Sequence, residues 1–523
     1  MAALLPGARF RIMQYNVLAK RYARNMEPWF LYDGLRSEGD EDRAKAIIAR
    51  HAARRPDGSY TYAGWPKYAE GILTAKEIEN VERRNERDFP FERRAPRLLE
   101  VIKEADPDVF SLVECDEYEA FWRGRLEELG YGSVWHKRPR ASAPDGCCLG
   151  FRERDWALDA HKTISYDDHD RAALMGVLRR IDTGERFVFV STHLARNPES
   201  LKQQGVRLRQ VAQLMRELHT FYKEQGIDTA EVPAIVAGDL NAESLQEVTA
   251  VAAAVCGLRD LDVHPLLFAS NEVPSPVTSQ TMRRKSRIDY VVFSDNGLLE
   301  RVDDDKAPPP LNEEACIPDA THPSDHLPVI GSFRFADKAA RSLFCARRVV
   351  RDILEVTAPR PLLCGEVALA FEALGGRGAE ETARNAYENG LCAEGDVDKL
   401  RDAIDVPRDD ERPHLFLHHA HTAALERSAG VDAAARLAFR FFDRDDDGFV
   451  ARGELFKTLE TILPADVFSE AAVDRIFAAV DRDHDGKISP EEFAQALRHA
   501  AGERERRDAV SRRDRRGRLG SAC

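Results

Sequence analysis

The sequence predicts an α/β fold up to about residue 336 and a helical fold beyond it, on three observations. Short apolar runs alternate with stretches of helical period in the first part, which indicates layered strands and helices. After Phe335 the pattern becomes mainly helical. Two Asp-rich loops with regularly placed glycine and glutamate then follow near the C-terminus. A chain of 523 residues is long enough for about two to four domains.

The composition is that of a globular protein with an acidic balance. The chain is 43% hydrophobic and 32% charged, with a formal net charge of −14. This charge disfavours nucleic-acid binding over the whole surface, so a polyanion would need a locally basic cleft. Nine cysteines without a CxxC pair favour a reducing compartment over a zinc site or a disulfide framework. We expect a cytoplasmic or nuclear protein, because neither a transmembrane run nor a signal peptide is recognisable.

Strands and helices alternate along the predicted α/β part. The segment 20–88 has no clean period and is interpreted as a surface insertion with some helix and partial disorder. Cys147 and Cys148 are interpreted as core positions of a strand, because no partner for a nucleophile stands beside them. The predicted strands are 9–18, 106–114, 186–194, the apolar run from 232, 286–293 and 329–335, and the predicted helices are 94–103, with Pro96 in its first turn, and 201–222.

Polar residues stand at the strand ends or in the adjoining loops. Singly, each is common in a turn or a core, but together they supply carboxylates, amides and histidines and no lysine or cysteine. Hard oxygen ligands without thiolates favour Mg²⁺ or Mn²⁺, and histidines beside such a metal favour phosphate-ester hydrolysis. The set is Asn16, Glu114, His193, Asp239, Asn241, Asp289, Asp325 and His326. The basic run Arg283, Arg284 and Lys285 is either a solvated charge cluster or a contact for a polyanion.

Six short motifs carry a resemblance to a known family. In this order they resemble the motif set of the endonuclease/exonuclease/phosphatase superfamily over about residues 8–336, in particular its carbon-catabolite-repressor and nocturnin-like branch. The motifs are Tyr15-Asn16-Val-Leu-Ala, Leu112-Val-Glu114, Ser191-Thr-His193-Leu, Gly238-Asp239-Leu-Asn241, Arg287-Ile-Asp289-Tyr and Ser324-Asp325-His326-Leu-Pro.

The resemblance implies a four-layer α/β sandwich with two mixed sheets and a site at one edge. It implies Asn16, Glu114 and Asp325 as the Mg²⁺ or Mn²⁺ site, and Asp239 as the residue that orients or deprotonates the attacking water. Asn241 and His193 would hold phosphate oxygens, and Asp289 and His326 would form a dyad. Residues 282–287 depart from the aromatic and glycine that deadenylase relatives tend to carry there, which leaves adenine specificity open.

Two loops near the C-terminus fit the EF-hand pattern, so two Ca²⁺ sites are expected in EF-hands at 430–465 and 468–503. Val450 and Ile488 are expected to form a short β contact between them. A helical connecting region is predicted at 337–429 and a disordered basic tail at 504–523. The expected ligands are Asp443, Asp445, Asp447, Phe449 (carbonyl) and Glu454 in one loop, and Asp481, Asp483, Asp485, Lys487 (carbonyl), Ser489 and Glu492 in the other.

The architecture is similar to plant-type calcium-binding endonuclease/exonuclease/phosphatase proteins. We therefore expect a calcium-binding, Mg²⁺-dependent phosphodiesterase, a deadenylase-like 3′–5′ exoribonuclease acting on RNA. One alternative is a phosphatase for a small phosphorylated metabolite, such as an NADP-like dinucleotide or an inositol phosphate. An alternative of another class is an inactive adaptor with a calcium-dependent protein partner. Oligomeric state, endo- or exo-cleavage and calcium regulation stay open at this stage.

Overall fold

The computed structural model describes residues 9–23, 39–57, 59, 61, 64–229, 231–245, 248, 277–281, 284–294, 296–302, 308, 311, 316–355, 370, 374, 379–404, 439, 442–445, 447–462, 470–493 and 495–496. The chain forms two compact units. One comprises residues 1–196, 221–243 and 270–336, and the other comprises residues 197–220, 244–269 and 337–523. Among the described helices, none combines the length and the apolar character that crossing a membrane requires.

The first unit contains a six-stranded mixed sheet. Its strands are β1 (Phe10–Asn16), β2 (Val109–Val113), β3 (Tyr131–Lys137), β4 (Gly146–Arg152), β12 (Leu299–Val302) and β13 (Val329–Phe335). They lie in the order β12–β13–β1–β2–β4–β3, and only β1 and β2 run parallel. Strand β2 ends one residue earlier than predicted, so Glu114 follows the strand instead of closing it.

A five-stranded mixed sheet faces the first. Its strands are β5 (Trp156–Ser165), β6 (Ala172–Arg180), β7 (Arg186–His193), β8 (Ala234–Asp239) and β11 (Asp289–Phe293). The order is β11–β8–β7–β6–β5, with β7 and β8 parallel and the other pairs antiparallel. A short hairpin, β9 (Ser279–Thr281) and β10 (Arg284–Ser286), precedes β11.

The two sheets bury an apolar core between them. Val113 and Leu149 of the six-stranded sheet belong to the same buried cluster as Phe189 and Ile235 of the five-stranded sheet. Burying side chains of this size contributes about 1.5–3 kcal/mol each. Because side chains alternate along a strand, residues two positions further along each of these strands also project into the space between the two sheets. The core thus fixes which side chains meet at the sheet edge.

Helices flank the sheets. They are α1 (Asp40–Ala52), α2 (Ala75–Asp88), α3 (Phe91–Ala105) and α4 (Arg123–Glu128). The next helix along the chain, α5 (Leu201–Glu224), belongs for most of its length to the second unit. Leu98 and Ile102 of α3 pack in one cluster with residues on the outer face of the six-stranded sheet. The placement of Pro96 in the first turn of this helix is wrong. The helix begins at Phe91, whose ring centroid lies 5.2 Å from that of Phe121.

The described part of the predicted insertion is folded. Ile47, Tyr68 and Val81 form a small core of their own with Leu18. Thr74 begins α2 with a capping box, in which its side chain accepts from the Glu77 amide. Residues 24–38 of the predicted insertion lie outside the described residues.

The second unit contains helices and two short strands. Its elements beyond residue 337 are α6 (Lys338–Glu355), α7 (Ala379–Glu388), α8 (Val397–Ile404), β14 (Val450–Ala451), α9 (Arg452–Ile462), α10 (Glu470–Val480) and β15 (Lys487–Ile488). Val349, Ala383 and Leu400 join α6, α7 and α8 in one buried cluster. Residues 405–438 and the basic tail 504–523 lie outside the described residues.

Candidate active site

One register row of the five-stranded sheet carries three titratable side chains. His193, Asp239 and Asp289 pair with one another across β7, β8 and β11, and residues paired in register share a face of the sheet. Further along the same strands, Phe189, Ile235 and Phe293 belong to the apolar core. A Cβ atom on Gly238 would lie 2.3 Å from the Thr192 carbonyl oxygen, so glycine is needed for this close approach of β7 and β8. The polar row therefore closes the core at one edge.

Strand β1 of the opposite sheet reaches this row with two amides. Asn16 Nδ2 donates a hydrogen bond of 3.0 Å to Asp239 Oδ2, and Asn16 Oδ1 accepts one of 3.0 Å from the Leu18 amide. Gln14, two residues earlier on the same face, donates from Nε2 to Asp289 Oδ1 at 3.4 Å. The two sheets are thus joined by polar contacts where their apolar core ends.

His326 and Asp289 form a dyad. His326 Nδ1 lies 2.6 Å from Asp289 Oδ2, while its Nε2 lies 3.9 Å from both Asp239 Oδ2 and Asp325 Oδ2. Burial by itself lowers the pKa of His326, but the carboxylates of Asp289 and Asp325 raise it to about 9. The imidazole is consequently cationic at neutral pH, with its Nε2–H directed away from Asp289.

Asp239 is the most connected carboxylate of the cluster. Its Oδ1 accepts a 3.0 Å hydrogen bond from the amide of Asn241, whose side chain in turn donates to the Leu194 carbonyl. Burial, together with the neighbouring charge of Asp289, raises the pKa of Asp239 to about 6. A carboxylate with a raised pKa that is still ionised at neutral pH has the properties of a general base.

His193 stands on the other side of Asp239. Its Nε2 lies 3.5 Å from Asp239 Oδ2. Burial and the positive charges of Arg171 and Arg138 hold the pKa of His193 well below its usual range, so the ring is neutral. The two histidines beside Asp239 therefore differ in charge.

Glu114 and Asp325 supply carboxylates that suit a divalent cation. Glu114 follows β2 with φ 56°, and its Oε2 accepts from the Ala19 amide at 3.2 Å. Burial and the charges of Asp325 and Asp145 raise the pKa of Glu114 to about 7. Asp325 Oδ1 is buried and has no hydrogen-bond partner among the described residues. A cation would offset the repulsion between these neighbouring carboxylates, and oxygen atoms are the ligands that Mg²⁺ and Mn²⁺ prefer.

Arg284 brings a second positive charge to His326. Its Nη2 lies 3.3 Å from His326 Nε2 and 3.6 Å from Asp325 Oδ2, and donates to Ser279 Oγ at 2.6 Å. Two positive charges so close together repel each other, and an anion that contacts both groups would offset the repulsion. Lys285 is exposed on the same short strand, and Arg283 lies outside the described residues.

The two acidic loops near the C-terminus each converge on one point. Carboxylate oxygens of Asp443, Asp445 and Glu454 lie within 4.8 Å of one another, as do those of Asp481, Asp483 and Glu492. Gly448 and Gly486 both have φ 85°, which the sharp turn of such a loop requires. Asp481 Oδ1 is buried without a hydrogen-bond partner in the described part of the chain. This donor set fits Ca²⁺.

The loops are also joined to each other. Val450 pairs with Ile488 in the predicted β contact. Lys487 Nζ lies 2.9 Å from Asp447 Oδ2, so a residue of the second loop neutralises an expected ligand of the first.

Family models match both parts of the chain. Residues 80–326 match the endonuclease/exonuclease/phosphatase family, and residues 432–498 match the EF-hand domain pair. The chain carries both domains. The predicted family resemblance and the predicted EF-hand pair are thereby confirmed.

Curated relatives of the endonuclease/exonuclease/phosphatase domain are distant. Nocturnin of Homo sapiens is 27% identical over 269 residues, which are 48% of this chain and 59% of that protein. The CCR4-Not complex 3′-5′-exoribonuclease subunit Ccr4 of Kluyveromyces lactis is 23% identical over 303 residues, which are 47% of this chain and 38% of that protein. The chain thus spans less than two thirds of the length of either relative.

Solved structures match the same part of the chain. The human nocturnin catalytic domain with bound sulfate has a TM-score of 0.39 and 20% identity, and the match covers 63% of this chain and 94% of that one. ANGEL2, a 2′,3′-cyclic phosphatase in complex with adenosine-2′,3′-vanadate, has a TM-score of 0.40 and 19% identity, with 62% and 96% covered.

Several polar residues of the endonuclease/exonuclease/phosphatase domain escape the sequence analysis. Gln14 has a usable signal, because it stands two residues before Asn16 and shares its face. Arg171 and Arg138 come from a polar loop and a strand end that carry no motif, and they are recognisable only by their place beside His193. Asn241 lies near the predicted site, and its side-chain amide donates a hydrogen bond to the Leu194 carbonyl.

Proposed function

We propose that this chain is a metal-dependent phosphoric-ester hydrolase, and more finely a 3′–5′ exoribonuclease acting on RNA. The observation that carries the proposal is the contact network around Asp239. It joins a carboxylate of raised pKa, a cationic His326 fixed by Asp289 and a neutral His193 within one buried cluster. A base, a cationic donor and a neutral donor side by side are what hydrolysis of a phosphodiester by water requires.

Asp239 is assigned as the residue that orients the attacking water and takes its proton. The water oxygen forms a bond to phosphorus, the bond from phosphorus to the 3′ oxygen breaks, and the leaving oxygen takes a proton from solvent. His326 donates from Nε2 to a phosphate oxygen and stabilises the charge that develops there, while Asp289 holds the imidazole at Nδ1. His193 and Asn241 are assigned to the remaining phosphate oxygens.

Asn16, Glu114 and Asp325 are assigned as the residues that would hold Mg²⁺ or Mn²⁺. A divalent cation supplies Lewis-acid stabilisation of the charge on the phosphate oxygens when it is bound. Asn16 Oδ1 accepts one hydrogen bond and keeps a second lone pair for such a ligand role. The unpartnered Asp325 Oδ1 and the raised pKa of Glu114 support the assignment.

RNA is proposed as the substrate on two grounds. The relative in Kluyveromyces lactis is named a 3′-5′-exoribonuclease subunit. Arg284 adds a positive charge beside the dyad, as a polyanionic substrate in an acidic protein requires. Lys285 and Arg283 are assigned to the same substrate contact.

A turnover panel tests the proposal. The full chain is incubated with Mg²⁺ and poly(A) RNA, mixed RNA, DNA, NADP or inositol phosphates, beside an Asp239→Ala variant. Release of mononucleotides from the 3′ end of RNA by the wild type alone is the expected result. Hydrolysis of only the small phosphate esters would replace the RNA substrate by the metabolite alternative. If the chain hydrolyses none of these substrates, the hypothesis of an inactive adaptor remains.

Calcium regulation of turnover is a separate part of the proposal and rests on the fused EF-hand pair. Sensor EF-hands open an apolar groove when they bind Ca²⁺. Turnover on the best substrate is therefore measured at fixed Mg²⁺ with and without micromolar Ca²⁺, and a change in rate is expected. Equal rates would remove the regulatory role while leaving the hydrolase intact.

A further inference from the structure

Arg171 is a buried arginine whose side chain makes no hydrogen bond to a carboxylate of the described residues. It immediately precedes β6 and is 3% exposed. Its Nη1 lies 3.1 Å from both ring nitrogens of His193, and the acceptor nitrogen of that neutral ring takes its hydrogen bond. The nearest carboxylate oxygen, Asp170 Oδ2, is 3.9 Å from Nε, which is beyond hydrogen-bond distance.

The opposite edge of the Arg171 guanidinium has no partner. Nε is buried and makes no hydrogen bond in the described part of the chain, and no described residue accepts from Nη2. Nε and Nη2 form the edge through which arginine binds two oxygens of a carboxylate or phosphate at once. Three N–H groups of a charged side chain are thus left for a ligand.

Two other buried arginines of the same unit have close hydrogen-bond partners for their guanidinium groups. Arg94 donates from all three nitrogens to the carbonyls of Phe89, Val17, Pro323 and Leu18, at 2.6–3.0 Å. Arg138 faces Asp170 at 2.7 Å and Asp145 at 3.3 Å. Arg138 holds Asp170 Oδ1, while Asp170 Oδ2 stays 3.9 Å from Arg171 Nε. Arg171 therefore lacks the close oxygen partners that Arg94 and Arg138 have.

A buried guanidinium without a close counter-ion is costly, and an anion that enters beside it removes the cost. We propose that the Nε–Nη2 edge of Arg171 binds a phosphate group of the substrate next to His193, and this inference rests on the proposed phosphate-ester chemistry of the site. The ligand class is a phosphoryl group with two anionic oxygens on one side. Arg284 and His326 then serve the site from the other side of Asp239.

Binding of inorganic phosphate to the full chain in Mg²⁺ tests the inference by calorimetry. Arg171→Gln is expected to weaken phosphate binding roughly 10- to 100-fold, the loss of a charge-assisted bond. Arg171→Lys keeps the charge without the two-donor edge and is expected to fall in between. Arg179→Gln is the matched control, because Arg179 lies on β6, the strand that Arg171 precedes, and its exposed side chain pairs with Asp159 at 2.9 Å.

Thermal unfolding without phosphate separates binding from structure. Arg171→Gln removes an unmatched buried charge, so its Tm is expected to equal or exceed that of the wild type, whereas Arg94→Gln orphans carbonyls and lowers Tm. Phosphate affinity equal to wild type in Arg171→Gln overturns the inference, whatever its Tm. If Arg171→Gln is unfolded at the assay temperature, Arg171→Lys decides, and wild-type affinity in that variant overturns the inference.

The two proposals fail in different ways. A wild type that binds phosphate through Arg171 but hydrolyses no phosphate ester contradicts the proposed function and leaves the anion site. A wild type that cleaves RNA, and binds phosphate no better than Arg171→Gln, contradicts the anion site alone.

Discussion

The strand-end site and the EF-hand loops both gather carboxylates, but they do so in opposite environments. Asp239 and Asp289 are buried between two sheets, where desolvation and mutual repulsion act on them. Asp445, Asp447, Asp483 and Asp485 are exposed on loops, and only the first expected ligands, Asp443 and Asp481, are buried there. Burial raises the pKa of Asp239 to about 6, whereas backbone hydrogen bonds from Ser489 and its neighbours lower the pKa of Glu492 to about 2.

The difference follows from what each site has to do. The pKa of a general base must lie near the operating pH, and burial raises the pKa of a carboxylate towards that value. A calcium ligand must stay ionised, and amide donors within the loop secure that. The first arrangement depends on residues far apart in sequence, and the second depends on twelve consecutive ones. Removing a side chain of the strand-end site should therefore leave the local Ca²⁺ ligand sets intact.

The largest effect is expected for Asp239→Asn. The amide cannot take a proton from water, so turnover should fall by about 10²–10⁴-fold, the usual contribution of a general base. Calcium binding measured by calorimetry should not change, because the EF-hand loops share no residue with the site. Asp159→Asn, an exposed carboxylate of β5 paired with Arg179, is the control and should retain activity. A variant with more than a tenth of wild-type turnover would remove Asp239 from the role of base.

A smaller effect is expected when each EF-hand loses its last ligand. Glu454 Oε1 accepts from the Arg444 and Asp445 amides, and Glu492 does the same in the second loop. Glu454→Gln and Glu492→Gln should each weaken one Ca²⁺ site roughly 10- to 100-fold through the loss of a charged ligand.

Calorimetry of the full chain should then show one tight site in place of two. Glu470→Gln, which changes the same charge outside the loops, should keep both. Loss of both sites in a single variant would mean that the loops bind Ca²⁺ only as a unit, which the Val450–Ile488 pairing makes the competing outcome.

The strand-end site and the EF-hand loops also differ in how much of each could be predicted from the sequence. The expected EF-hand ligands are local, so the loop pattern alone predicts Asp443 and Asp481 as ligands, and the predicted β contact is present. Asp239 and Asp289 were predictable as strand-end acids, since register brings them together once the strands are known. The start of α3 was missed, because no side-chain cap marks it. Arg171 was missed because only the fold brings it to His193.

The smallest predicted effect concerns Lys487, which places a positive charge beside the carboxylates of the described EF-hand loops. Its ammonium lies 2.9 Å from Asp447 and adds a positive charge beside a site meant for a cation. Both side chains are exposed, so the interaction between them is weak. Lys487→Gln should accordingly raise the Ca²⁺ affinity of the first loop by roughly two- to fivefold, and 1 M salt should abolish the difference by screening. Lys399→Gln, an exposed lysine of α8, should leave the affinity unchanged. An unchanged or lower affinity in Lys487→Gln would mean that the lysine holds Asp447 in the ligand position, so that the pair stabilises the loop more than its charge opposes the ion.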